Sequence, residues 1–598
     1  MKPAFPLVSK GASNEKLMGG LFLVLVLYQL PLWVENSQTL FHFLIILGIG
    51  LALDTAINFI RHKKPICAVS AAITAGVVNI LLHLLPLPIK ILGIAAALLL
   101  GKHAWGGTGK NAVNPAIVGV FFACLLHPVE MPLFSPTLLY LPALILSLLF
   151  LRVRPFAGLA FMAGMVLSFA AGGVFSWEKL ITYGVLFFGT VVLTDPTTVT
   201  ARPVYGGVSA FAAGFAAFLF FDGLIWMCTA VLAVNLLSWI VDETQKTVSF
   251  HRPIRMEKQI QRRQGIVGEF DYQKQDSAAL NLTASEILER VQRHKVFGMG
   301  GAAFPADVKI KAAMESDAAD KHLIVNGVEC DPGLVHDRWL MEHHMAEIEQ
   351  GVEILSKLVN FRTVVLAVKG SSKQHGIFRV LSKRRTACEE PKIQAKLICQ
   401  EVPDYYPAGA ERFLIRDILH RELSQEDIPA ALGILVLNVQ TVLAVYRAVI
   451  LDEDITTRVI TVANLKERTG QAVTVRLGEK VSEVLTRVYP NAPVIFTGGG
   501  LMQGIIADDD AIISPDVNLI ATGNIPKYKE SVQCSRCGMC FMHCPAGINV
   551  RRIAELADAG KKEETVAYHP EKCIRCGVCS YLCPAGRKLS QRVAGARR

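Results

Sequence analysis

At 598 residues the chain is long enough for about four domains of ordinary size, and with 52% hydrophobic and 19% charged residues it is not one soluble globule. A formal net charge of +10 would point to nucleic acid in a soluble protein. Here the lysines and arginines cluster beside apolar spans, as membrane topology demands, and no nucleic-acid partner is expected.

Hydrophobicity is concentrated before residue 242, and apolar segments recur at 17–35, 38–60, 66–86, 88–101, 113–127, 134–151, 156–175, 179–194, 207–222 and 224–241. Several fall short of the ~20 residues a straight span needs. The expectation is a polytopic α-helical membrane domain over 1–244, with about ten helices. No cleavable signal peptide is expected, because the first apolar run leads into more of the same. With the N-terminus inside (Lys2, Lys10, Lys16), the inner connections are 61–64, 101–110, 152–154 and 194–202. Outer ones, such as 35–38, 127–132 and 221–223, nearly lack lysine and arginine. That asymmetry predicts an inner (cytoplasmic) membrane protein whose N-terminus and C-terminal domains are cytoplasmic.

Two inner loops are too specific for plain connectors: 102–119, KHAWGGTGKNAVNPAIVG, and 194–206, TDPTTVTARPVYG. Their glycines permit close backbone approach, and Asn111, Asn114 and Asp195 supply polar groups. Irregular backbone at membrane depth survives only when buried in protein or lining a cavity. Both loops resemble RnfD, a membrane component of the Rnf electron-transport complex, and its relative NqrB, from the sodium-pumping NADH:quinone oxidoreductase, over residues 15–245. Asp54, an acid within the second span, is a functional candidate; the alternative is a structural partner for the nearby basic loop. Asn79 and His83 read as helix–helix hydrogen-bonders. The resembling membrane proteins esterify a flavin to a threonine in a Ser-Gly-Ala-Thr or Asp-Gly-Ala-Thr motif. The matching region here, 127–137, reads HPVEMPLFSPT, and Thr137 reads as a helix-start residue. No covalent flavin is expected.

Residues 245–285 are polar and read as a linker. A helix follows, with Ser285 as its expected cap, and runs into 296–305, VFGMGGAAFP. A glycine-rich turn before a helix offers backbone N–H groups to a phosphate. Next come 323–333, LIVNGVECDPG, a buried strand ending in polar residues, then 405–411, YYPAGAE, and 433–441, GILVLNVQT. These four stretches in this order resemble RnfC of the Rnf complex and, more distantly, the NADH-binding flavoprotein of respiratory complex I. The resemblance implies an α/β domain over 286–452 that binds FMN noncovalently and takes NADH as substrate. It assigns the FMN phosphate to Gly298, Gly300, Gly301 and Lys309. Asn326 and Glu329 would face flavin and nicotinamide, with Tyr406, Gly409 and Glu411 as a second motif and Asn438 as the last. The loop departs from the family at Ala303, where glycine is usual. Either that position needs positive φ, at a cost of about 1 kcal/mol to alanine, or the missing Cβ makes room for the cofactor. The barrel-like N-terminal domain usual in RnfC is replaced by the linker.

Short strands with glycine turns at 458–462, 473–477 and 494–500 predict a β-grasp domain over 453–525, matching the soluble-ligand-binding-β-grasp (SLBB) module of the same family. The last domain, 526–598, carries C-x₂-C-x₂-C-x₃-C-P twice: Cys534, Cys537, Cys540 and Cys544, then Cys573, Cys576, Cys579 and Cys583. This is the pattern of a two-cluster ferredoxin, in which each fourth cysteine ligates the other cluster. Cys534, Cys537, Cys540 and Cys583 are then expected to hold one [4Fe–4S] centre. Cys573, Cys576, Cys579 and Cys544 would hold the second. Structural zinc would use two pairs with a long gap, and disulfides need an oxidising compartment. Cys67, Cys124, Cys228, Cys330, Cys388 and Cys399 are scattered and read as ordinary thiols.

The chain thus resembles a fusion of RnfD and RnfC. The resemblance implies an NADH-linked oxidoreductase of the electron-transport type, with ion translocation as a further expectation. It also implies other Rnf-like membrane proteins and flavoproteins, and ferredoxin, as partners. No acid–base or nucleophilic residues are assigned. A redox-sensing transporter and an assembly scaffold are the alternatives.

Overall fold

The computed structural model describes residues 14–62, 69–105, 107, 111–152, 154–200, 202–219, 223–244, 254–256, 260–268, 281–370, 397–424, 426–494, 496–508, 510–523, 534 and 536–597. Cys67 and Cys388 lie outside them, as does part of the first irregular loop. The chain divides into two compact units. Lys10–His251 joins Tyr528–Glu571 and Leu582–Arg598 in one, and Arg252–Lys527 joins Lys572–Tyr581 in the other. Cys534, Cys537, Cys540, Cys544 and Cys583 therefore fall in the first of these units and Cys573, Cys576 and Cys579 in the second, although the sequence reads as one module.

The first unit is membrane-associated and helical. Lys16–Glu35, Gln38–Ile60, Leu87–Trp105 and Leu224–Asp242 are long and apolar enough to cross a membrane. Val69–Leu81, Pro115–Leu126, Leu138–Phe150, Pro155–Ala171 and Val204–Ala217 are shorter apolar helices in the same half. The segment expected as one span at 179–194 is broken into Trp177–Thr182, Val185–Phe187 and a π-helical turn at Phe188–Val192. Gly184, at φ 66°, interrupts it. Both irregular loops follow a π-helical end, Ala97–Lys102 or Phe188–Val192, and both lead into a helix begun by proline. Proline at that position gives up no helical hydrogen bond. Helices approach at glycine: a Cβ on Gly164 would lie 2.3 Å from the Phe211 carbonyl oxygen, and one on Gly214 would lie 2.3 Å from that of Phe161. Such reciprocal contacts are how membrane helices gain packing without a hydrophobic drive.

The second unit carries two sheets built from β1 (Gln261–Val267), β2 (His322–Gly327), β3 (Thr363–Lys369), β4 (Leu397–Val402), β5 (Ile434–Asn438), β6 (Thr457–Asn464), β7 (Thr469–Arg476), β8 (Phe496–Gly500), β9 (Gln503–Ile506) and β10 (Leu519–Thr522). One sheet is wholly parallel with order β4-β3-β2-β5. The largely buried runs of β2 and β3 are what a parallel sheet covered on both faces requires. The other sheet is mixed, ordered β1-β7-β6-β10-β8-β9. Helix Val481–Val488 packs its Val481, Val484 and Leu485 into the same core as Ile460, Val473 and Ile520.

Two local expectations change. Part of the polar stretch read as linker is β1, which pairs with β7 in parallel; an edge strand needs little apolar sequence to be held. The helix after it begins at Ala284, capped by Thr283 rather than Ser285. Thr283 and Glu286 form a reciprocal capping box, which satisfies two backbone donors where Ser285 would satisfy one.

Candidate cofactor sites

Strand order reverses between β2 and β5, because β3 and β4 both lie on one side of β2. A doubly wound sheet opens its ligand crevice at the carboxyl ends of such a pair. Asn326 ends one strand register and Asn438 the other, and the two are direct partners across the pair. Asn326 Nδ2 donates to the Gly409 carbonyl at 2.9 Å, and its Oδ1 accepts from Val328 N–H at 3.1 Å. Asn438 Nδ2 donates to Asp337 Oδ2 at 2.8 Å, while its Oδ1 accepts from Gln440 N–H at the start of helix Val439–Ile450. A Cβ on Gly300 would stand 3.5 Å from the Asn438 Cβ, so the glycine loop lies against the same strand end. Glu329, at φ 40°, accepts from Asp337 N–H at 3.0 Å.

The glycine loop is a closed turn. Gly298 N–H donates to the Phe304 carbonyl at 2.7 Å, and Met299 N–H donates to Thr441 Oγ1 at 2.8 Å. The Met299 carbonyl accepts from the buried Arg458 guanidinium at 3.1 Å. Gly298 thus shapes the loop, its N–H engaged within the turn. Ala303 sits at φ 51°. The position thus has the positive φ that glycine accommodates, and alanine bears strain of about 1 kcal/mol there. Lys309 Nζ stands 2.7 Å from Glu411 Oε1 and donates to the Val436 carbonyl at 2.8 Å. The cation, the glycine turn and the switch-point crevice fit a phosphate-bearing cofactor.

Tyr406 is placed elsewhere. Its hydroxyl donates to the Cys576 carbonyl at 2.9 Å, and burial pushes its pKa well above the usual phenol range, so it stays a donor. Sequence reasoning missed Thr441, Arg458 and Asp337, which hold the loop and the strand ends. It also missed Asp331, whose carboxylate accepts from Gly333, Leu501 and Met502 N–H and ties the β2 turn to the β8–β9 turn.

The cysteine runs share a local geometry. Arg536 N–H donates to Cys534 Sγ and Arg575 N–H to Cys573 Sγ, each at 3.4 Å. Burial pushes the Cys583 thiol up to about 11, with Cys537 and Cys534 also acting on it; Cys583 thus lies beside the first run. Among the described residues no three His, Cys, Asp or Glu side chains converge on a single metal ion. Thiolates around a cubane stand farther apart than those around one ion, and N–H···S bonds at the turn suit the former.

In the membrane half, Asp54 Oδ1 is 2.8 Å from both Lys102 Nζ and His103 Nε2, and Oδ2 accepts from Asn58 at 3.1 Å. All four side chains are buried, and Asp54 anchors the start of the first irregular loop. Asn79 donates to Gln29 across helices at 2.7 Å, whereas His83 bonds its own helix at Ile80. Thr137 caps the turn Leu138–Tyr140.

Residues 3–138 match the NQR2, RnfD, RnfE family. Residues 291–447 match the Nuo51 FMN-binding domain, and residues 533–587 match a 4Fe-4S dicluster domain. The C subunit of the ion-translocating oxidoreductase complex of Actinobacillus succinogenes is 31% identical over 292 residues, covering 48% of this chain and 40% of that protein. Its namesake from Rhodobacter capsulatus is 30% identical over 289 residues, covering 47% of this chain and 54% of that protein. The chain therefore spans about half, or less, of the length of these relatives. An NAD+-reducing [NiFe]-hydrogenase in the air-oxidised state aligns at 17% identity and a TM-score of 0.39, over 49% of this chain and 55% of that one.

Proposed function

We propose that the chain is a membrane-bound electron-transfer protein of the Rnf type, an NADH-linked oxidoreductase component acting with other membrane proteins and flavoproteins. Its N-terminal half is proposed as about ten spans with both termini inside, and the mixed sheet as the SLBB β-grasp module. The observation that carries this reading is the convergence of Gly300, Asn326, Gly409 and Asn438, with the Lys309–Glu411 pair, at the switch point of a parallel sheet. Gly300, Gly301 and Lys309 would hold the FMN phosphate. Asn326, Glu329, Gly409, Glu411 and Asn438 would line the isoalloxazine and nicotinamide. FMN, when bound, accepts a hydride and gives up electrons singly, and the protein supplies position and electrostatics.

The eight cysteines would hold two [4Fe–4S] clusters, with Cys544 and Cys583 exchanged between runs. Ion translocation, named in the curated relatives, is proposed with it. One measurement tests the whole: the absorption spectrum of the anaerobically purified chain, before and after NADH. Bleaching of a flavin band together with broad iron–sulfur absorption supports the reading. Flavin that NADH does not bleach, in iron-replete protein, refutes it.

A further inference from the structure

The two cysteine runs are built alike but gripped differently. Arg536 and Arg575 sit at φ 49° and 56°, followed by Gly538 and Gly577 at 74° and 79°. Each run therefore presents an equivalent arginine carbonyl beside its first two cysteines. In the unit that contains the flavin domain, the Arg575 carbonyl accepts from Gln503 Nε2 at 3.1 Å, and the Cys576 carbonyl accepts from Tyr406. Both grips are neutral.

In the membrane-associated unit the equivalent grip is cationic. Arg154 Nη2 donates to the Arg536 carbonyl at 3.4 Å. The same guanidinium donates to the Val199 carbonyl through Nε at 3.1 Å and to the Pro196 carbonyl through Nη2 at 3.2 Å. It is buried and lies close enough to act on Cys537, Asp242 and Asp195. Two further contacts join the same surfaces. The Arg202 guanidinium stands 5.7 Å from the Phe541 ring centroid, and Arg551 reaches the Asp242 carbonyl at 3.5 Å. The first cysteine run is thus seated on the second irregular loop, and a buried cation is its central fastening.

A cluster gains negative charge on reduction, so a cation and its hydrogen bonds raise the potential of the cluster they adjoin. We propose that Arg154 is a positioning residue that seats the cluster of Cys534, Cys537, Cys540 and Cys583 on the membrane half. By the same contact it raises that cluster's reduction potential. The inference rests on the two-cluster part of the function proposed above.

The test is an EPR-monitored potentiometric titration of the full chain in detergent. Dithionite is the reductant, so NADH and flavin chemistry play no part. Signals are assigned with Cys537→Ser and Cys576→Ser chains. Arg154→Gln should lower the first-run midpoint, leave the second unmoved and keep the iron content; Arg154→Lys should restore most of the shift. If Arg154→Gln does not accumulate, Gln503→Lys places a cation at the equivalent carbonyl and should raise the second-run midpoint. Potentials unmoved by these variants, or moved equally at both clusters, overturn the inference while leaving the functional reading intact. A chain that binds no iron overturns that reading instead.

Discussion

Glu411 should oppose FMN binding rather than support it. Lys309 is the cation proposed for the phosphate, and it stands paired with Glu411 at 2.7 Å, their side chains 23% and 36% exposed. Partly exposed pairs of this kind contribute about 0.2–1 kcal/mol. A phosphate that recruits Lys309 must displace that interaction. Glu411→Gln removes the competitor and should tighten FMN by up to about 1 kcal/mol, roughly fivefold in Kd. Lys309→Met should do the reverse. Losing a charge-assisted hydrogen bond costs about 1.5–3 kcal/mol, about tenfold to 150-fold in Kd. The assay is titration of FMN into the flavin-stripped full chain, following the quenching of free FMN fluorescence. NADH oxidation is measured alongside, and Glu411→Gln should impair it despite the tighter flavin. If Glu411→Gln weakened FMN as much as Lys309→Met, the pair would be part of the cofactor cradle itself, and the competition argument would fail.

Other consequences follow from the same contacts. Asp331→Ala strips a buried acceptor from three backbone N–H groups and should destabilise the unit that carries the two sheets by about 3 kcal/mol, read from its denaturant midpoint; a loss within experimental error refutes the hub role. The doubled cysteine run predicts about eight irons and eight acid-labile sulfides per chain. Cys544→Ser should perturb chiefly the cluster of Cys573, Cys576 and Cys579, and Cys583→Ser that of Cys534, Cys537 and Cys540. Damage confined to each variant's own run would disprove the exchange. The membrane half should carry no covalent flavin, because Thr137 is engaged as a helix cap. A fluorescent band surviving full denaturation on a gel, mapped to a threonine before residue 245, would refute that.

Much of the switch-point crevice was legible because its parts are backbone devices. Glycines mark turns, and an asparagine at the end of an apolar run marks a strand end. Asn326 and Asn438 lie more than a hundred residues apart in sequence, yet each announces the same carboxyl edge. At Ala303, where the motif departs, the left-handed turn remains and alanine bears it. The membrane helices were legible from apolar length. Their breaks were not, because Gly184 looks like any other glycine until its φ is known. β1 was illegible for a related reason. Its pairing with β7 depends on partners about two hundred residues away, and its own sequence, QRRQGIV, carries no strand pattern.

Tyr405 and Tyr406 show what a motif leaves undecided. Neighbours in one short stretch, they send their hydroxyls to different places: Tyr405 to Asp417 Oδ2 at 2.6 Å, Tyr406 to the Cys576 carbonyl. A family pattern fixes that a tyrosine stands there, but not which partner satisfies its buried hydroxyl, which in most buried phenols finds one. The same holds for the arginines. Arg154 reads from sequence as one more basic residue on an inner loop, a topological signal shared with Lys63 and Lys64. Its burial against Val199, Pro196 and Arg536 carbonyls gives it a different meaning. A cation counted for orientation can be left in water. One enclosed by carbonyls beside a cysteine loop is held at a desolvation cost that only a fixed geometry offsets. Lysine in its place would keep the charge beside the cysteine loop, whereas the forked reach to two separate loops belongs to arginine alone.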